Sequence, residues 1–484
     1  MSHIETPQSA CRFAIARADI TPPVGMYHRM WGAATHDRST GVHRPLTASV
    51  MMFGAADGRD SDNRTQVLVA LDHCLMGRRE IDILLGAIEN ATAQSRSSVA
   101  ITFSHTHAAG LMLLDRQSEP GGEMIPDYLK RLGATLGDLV ADCCNSMQRA
   151  TIVYGDGRCN LAAHRDYWDV EKECYLTGFN PKQDADDTVL IARVTASDGR
   201  LLATVVNYAC HPTTLAWGNR LISPDFPGSV REVVEQSTDA PCVFVQGASG
   251  ELGPREGFVA DPEVADRNGR QLGYAALSTI QSMPPADTTY KYDGAVVSGA
   301  TIGTWKHAPL GVERRASSEV WQVVRETIDL PYLPDLPSIA KAESDLATAW
   351  IRERNARAAG DDATARECRA LVERQARLLV RLQALPQGEV FPYRVIAWRM
   401  GDAIWLSVQA EPYNVLQTQL RRQFAGTPIV VAAMSDDWSP AYLPPKDVYG
   451  KGIYQESIAV LAPGCLERLI TELIRIIEKI RQPA

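Results

Sequence analysis

The run VAITFSHTHAAG, residues 99–110, is a β-type stretch that ends in two histidines one residue apart. Imidazoles bind metals and carry protons, and residues i and i+2 of an extended chain project to the same side. His105 and His107 are therefore presented to one place. The arrangement recurs: LLATVVNYACHP is a second apolar stretch ending in a histidine, His211, and Pro212 stops further ladder pairing. AIWLSVQAEP is a third, ending in the acid Glu411. Two histidines and a carboxylate at strand ends make the His₂Glu set of a catalytic zinc that keeps a position open for water. That set predicts a metal-dependent hydrolase. APCVFVQGASGELGP ends in a Gly-rich turn with an acid, Glu251, an alternative general base, and the loop SPDFPG offers Asp225 to substrate just before a helix.

These endings can converge only if the stretches before them are neighbours. Across residues 13–285, β-type runs such as QVLVALDHCL and TVLIARV alternate with helical patterns at 79–93, 126–147 and 264–283 and one that starts near Gly228. The alternation predicts an α/β fold, a mixed β-sheet core flanked by helices. Residues 338–386 shift to Ala, Arg, Glu and Leu, broken by AGDD, and predict an inserted helical hairpin whose charges form a solvated face. Beyond it come a β-hairpin turning at Gly401-Asp402, a strand in PIVVAAMSDDW and an amphipathic helix at 465–480. The expected organisation is a single catalytic domain over 1–484 with the hairpin inserted in it.

A chain of 484 residues that is 45% hydrophobic and carries a net charge of −9 has no basic footprint for nucleic acid. The start, MSHIETPQSACRF, lacks the basic and apolar segments of a signal peptide, and no apolar run is long enough to insert in a membrane. A cytoplasmic protein is expected. Its ten cysteines show no CxxC spacing and read as reduced core thiols.

The chain resembles the N-terminal catalytic domain of the neutral/alkaline non-lysosomal ceramidases, zinc-dependent amidases. The likeness runs from RADITPP to YGKGIYQE: SHTHAAG is similar to the family's THTHSGPGG, NYACHPTT to NWFAVHPTS, and WSPAYLPPKDVYGKGIYQE keeps the tyrosine spacing of YTHYVTTREEYxxQxYEG. The resemblance implies one zinc per chain on His105, His211 and Glu411, with Tyr442 as fourth ligand. It gives His107 an active-site role and Tyr454 a substrate-contacting hydroxyl, and AAHRDYW, lying where the family has NINRS, makes Arg165 the substrate-contacting arginine. The departure is at the nucleophile, where ASGELGP places Gly253 in the slot of the family's serine. A glycine has no group to attack with. Zinc-activated water then attacks an amide or ester of a small soluble acyl substrate in the space beside Gly253. The alternatives are a catalytically silent metal-binding sensor or scaffold, and acyl-transfer or lyase chemistry on the same site.

Overall fold

The computed structural model describes residues 2–58 and 65–482. Eight strands form one mixed sheet: Gln8–Asp19 (β1), Thr47–Ala55 (β2), Thr65–Leu71 (β3), Val99–Phe103 (β4), Gln148–Arg158 (β5), Thr188–Ala196 (β6), Leu201–Tyr208 (β7) and Cys242–Gln246 (β8). Their order across the sheet is β8-β7-β6-β5-β1-β2-β3-β4. The pairs at the two edges, β3 with β4 and β7 with β8, run parallel, and the inner pairs are antiparallel. Parallel neighbours need a crossover, which the helices Arg78–Ala91 (α1) and Phe226–Thr238 supply. His105 follows the strand of one edge pair and His211 a strand of the other. The helices Ile125–Ser146 (α2), Phe226–Thr238 (α3) and Pro262–Ser282 (α4) join α1 in covering the outer face of this sheet. The helical patterns expected at 79–93, 126–147 and 264–283 match α1, α2 and α4 to within two residues.

A second sheet of Trp321–Pro331 (β9), Val390–Met400 (β10), Ala403–Val408 (β11) and Ile429–Ala432 (β12), in that order, packs on the inner face of the first. β10 shows how its sequence assigns the faces. Ile396, Trp398 and Met400 enter the core between the sheets, while Phe391, Tyr393, Val395 and Ala397 enter the core beneath the last helices. Period-two alternation thus sorts two apolar sets to two buried faces. The β10–β11 turn is closed by Gly401, at φ +50°, and Asp402. Between the sheets the rings of Phe53 and Trp405 lie 5.1 Å apart and those of Trp398 and Trp405 5.8 Å. The layers are helix, sheet, sheet, helix.

The segment after β12 decides where the site forms. Ala433 N donates to Gln246 O of β8 (2.9 Å), while Thr102 Oγ1 of β4 donates to Ala433 O (2.7 Å) and Phe103 N to Met434 O (3.3 Å). One short segment therefore ties together the two edge strands of the large sheet. The loops beyond β4 and β7 consequently open at a common place.

The helices Ile339–Ala358 (α5) and Asp362–Ala384 (α6) form the hairpin, each capped at its start: Ser338 accepts from Lys341 N and Asp361 from Thr364 N. The expectation of a solvated charged face fails for α6. Glu373 and Arg381 are buried, Glu373 pairs with Arg116 (3.1 Å) and Arg369 (2.8 Å), and Arg377 donates to Met30 O (2.5 Å). Charges at helical spacing look alike in sequence whether they meet water or a partner loop, and here α6 roofs the 25–40 loop and the end of the sheets. The helices Val415–Gln423 (α7) and Cys465–Arg481 (α8) pack on the far face of the second sheet. An exposed β-hairpin, Thr288–Ser298 with Ala300–Pro309, occupies a region whose sequence gave no reading. Among the described residues no helix is long and apolar enough to cross a membrane, and the cysteines are free thiols.

Candidate metal centre and active site

His105 sits just past β4 with φ at +68°, a left-handed conformation unusual for a residue with a side chain. Ala410, Met434 and Ala441, each beside or near a site residue, share it. Such residues cost of order 1–3 kcal/mol each and persist where the surroundings hold them. The His105 Nδ1–H donates to Cys74 O (2.7 Å), and the His211 Nδ1–H donates to Leu252 O (3.0 Å). Those bonds make Nδ1 the donor and turn both Nε2 atoms inward, the outer-shell pattern of metal-ligating imidazoles. Glu411 and Tyr442 arrive side by side because Glu411–Pro412 pairs in parallel with Tyr442–Leu443.

Glu411 Oε2 lies 2.9 Å from His211 Nε2 and 3.4 Å from His105 Nε2, and the Tyr442 hydroxyl lies 3.4 Å from His211 Nε2. One ligand atom each from His105, His211 and Glu411 falls within 4.8 Å of the others. Ligands about 2.0–2.1 Å from a tetrahedral zinc stand about 3.4 Å apart. The donor set fits a divalent cation in both atom type and spacing. His107 Nε2 is 3.4 Å from His105 Nε2, at the edge of the cluster.

The charges divide unevenly over these donors. Burial would raise the Glu411 carboxyl, but His105 and His211 overcome it and hold the group well below the usual carboxylate range. Burial, then the Arg165 charge, bring His211 down to about 3 against the pull of Glu411. His211 is thus neutral, as a ligand must be. Burial lowers His105 too, but Cys74 and Glu411 more than reverse that and hold it well above its ordinary value, so without a cation it keeps a proton toward Glu411 that a bound metal would displace. His107 is driven well below its ordinary value by burial and by His105 and His211, so it is neutral and able to accept a proton.

Arg165 is placed by an antiparallel bridge between Ala162–His164 and Leu252–Pro254. Its Nη2 donates to Gly250 O (2.5 Å) and to the Tyr442 hydroxyl (3.0 Å), and its Nε is buried with no partner. A Cβ on Gly253 would meet only Thr213 Oγ1 at 3.6 Å and Arg165 Cδ at 3.9 Å, ordinary contacts. There is room over Gly253, and the Thr213 hydroxyl beside it is buried without a partner. Tyr454, 47% exposed, sets its ring 6.0 Å from that of Tyr442, while Trp31 packs 5.1 Å from His107 and touches Trp217 and Phe258.

The whole arrangement has solved counterparts. The neutral ceramidase from Pseudomonas aeruginosa matches at a TM-score of 0.65 and 15% identity, over 99% of this chain and 76% of that one. A ceramidase complexed with C2 matches at a TM-score of 0.61 and 16% identity, over 99% and 77%. This chain has the neutral ceramidase fold. No protein-family model matches the sequence, and no curated protein matches it either.

Two expected site residues stand apart from the cluster in this ceramidase-like fold. Both Glu251 oxygens accept from Asn414 N (2.8 and 3.0 Å), and the carboxyl lines a separate hollow of about 400 Å³ with His164 and Asp186. Burial raises it to about 8, but it faces no candidate ligand, so the structure does not give it the base role. Asp225, expected to touch substrate, instead accepts from Phe226 N (2.6 Å) and Leu215 N (2.8 Å) and holds the start of α3. Asp72 and His73, which also stand just past a strand, are engaged away from the cluster, Asp72 with Arg231 (2.6 Å) and His73 with the Tyr128 hydroxyl (2.7 Å). Sequence reasoning missed Trp438, whose Nε1 donates to Glu411 Oε1 (3.0 Å), and Arg381, whose guanidinium lies 4.5 Å over the Trp438 ring. Trp438 follows a strand closely enough to have been a candidate. Arg381 carried no signal, being one of many arginines in the hairpin.

Proposed function

We propose that this protein is a zinc-dependent amidohydrolase, with ester cleavage open to the same machinery, acting on a small soluble acyl compound in the cytoplasm. The observation that supports this most is the convergence of His105, His211, Glu411 and Tyr442 beside a neutral His107 and a buried Arg165, in a fold whose solved neighbours are named ceramidases. His105, His211, Glu411 and Tyr442 would hold a single zinc. Bound there, zinc supplies a Lewis acid and lowers the pKa of a water toward 7.

The chain's own residues do the rest. With glycine at 253, the attacking oxygen comes from water, and the space over Gly253 takes the carbonyl end of the substrate. Arg165 and the Tyr454 hydroxyl donate to the oxyanion as it develops. His107 takes the proton lost by water and delivers it to the leaving nitrogen or oxygen. The products are a carboxylic acid and an amine or alcohol.

Elemental analysis tests the centre: about one zinc per chain is expected, lost in His105→Ala and in His211→Ala. Hydrolysis in ¹⁸O-labelled water should place one label in the acid product, which neither a silent sensor nor a lyase would do. Metal content indifferent to both histidines would end this reading.

A further inference from the structure

Arg381 is 4% exposed, in the last turn of α6, and no carboxylate among the described residues lies within ion-pair distance of it. Its Nη1 donates to Ile458 O (3.2 Å), and its Nε is buried with no partner. The Trp438 face offsets part of the desolvation, but a buried cation is costly without a counter-charge. The acid whose charge reaches Arg381 is Glu411, and Glu411 is already engaged by His105, His211 and the Trp438 indole. Arg165 has Tyr442, Glu411 and Asp166 to balance it, whereas among the carboxylates only Glu411 acts on Arg381, and Glu411 is already taken. Across the site the wall is of the other kind, with Trp31, Trp217 and Phe258 in edge contact beside His107 and Trp217 45% exposed.

We propose that the substrate is an amide with an apolar group on one side of the scissile bond and a carboxylate on the other, and that Arg381, delivered by the helical hairpin, binds that carboxylate. This rests on the hydrolase reading for turnover but not for binding. The hairpin is then the part of the molecule that sets substrate class. The acid can sit on the amine side, as in an N-acyl amino acid, or on the acyl side, as in a dicarboxylic monoamide.

The test uses the zinc-loaded full-length protein and two matched pairs: N-benzoylglycine against N-ethylbenzamide, and N-benzylsuccinamic acid against N-benzylbutanamide. Binding is measured by calorimetry and hydrolysis by product release. At least one acid should bind about 100-fold more tightly than its neutral partner, the loss expected when one side of a buried charge pair is missing. Arg381→Met should erase that difference while leaving zinc content and neutral-amide binding unchanged, and Arg381→Lys should restore part of it. Which pair responds tells which side carries the acid. Acids that bind through Arg381 but are not hydrolysed would support the anion site and end the hydrolase reading. Equal binding of acid and neutral partners, or no binding by either acid, would overturn the inference, as would an Arg381→Met protein that folds, keeps zinc and still prefers the acid.

Discussion

Glu411 and Glu251 are the same residue type, both buried and both just beyond an apolar strand, yet they meet opposite fates. Glu411 faces two imidazoles and is held ionised well below the usual range, whereas Glu251 faces a backbone amide and is pushed by burial up to about 8. Position in the chain brought each carboxyl to a strand end; its neighbours decided whether it stays an anion among imidazoles or becomes a protonated helix brace. The backbone around Glu251 still serves the site, since Leu252 O accepts from His211 and Glu251 O accepts from Arg165 N.

Paired substitutions put this contrast to the test. Glu411→Gln should remove zinc and lower hydrolysis by about 10³-fold or more, because a neutral amide replaces the anionic ligand; zinc retained at full stoichiometry would break the contrast. Arg165→Met should cost about 10²-fold in kcat with a small change in KM, the signature of a donor used in the transition state, read from steady-state kinetics. Gly253→Ser should fold within about 1 kcal/mol of the parent by thermal melting, since the added Cβ meets only ordinary contacts, and should lower kcat about tenfold by crowding the space over Gly253.

Glu251→Gln should leave zinc and turnover within about twofold. Its effect falls on stability. The folded protein keeps a proton on Glu251 up to about pH 8, while the unfolded chain releases it near 4.5. Between those values the native state holds more protons, so stability falls as pH rises through the window, by on the order of a few kcal/mol. Melting curves of Glu251→Gln from pH 5 to 8 should lack that decline.

Much of the site was legible because strands end where apolar alternation ends, and a histidine or acid at such an end is visible as a letter. The mixed sheet flanked by helices followed from the same alternation. Glu251 and Asp225 lie outside the cluster because a carboxylate that holds the start of a helix and one that faces two imidazoles occupy the same kind of sequence position. Arg381 was invisible for a different reason, since its neighbours come from the segments around Trp438 and Ile458, far along the chain.

By itself, then, the sequence determined most of the elements of the two packed sheets and the residue types able to bind a metal, since these depend on local periodicity and chemistry. Only the tertiary structure decided which endings share one space. The tie made by Ala433 and Met434 between the two edge pairs, and the roof laid by α6, are contacts between segments hundreds of residues apart. No local pattern encodes such contacts, because their energy arises only when the sheets have closed and the water between them has left.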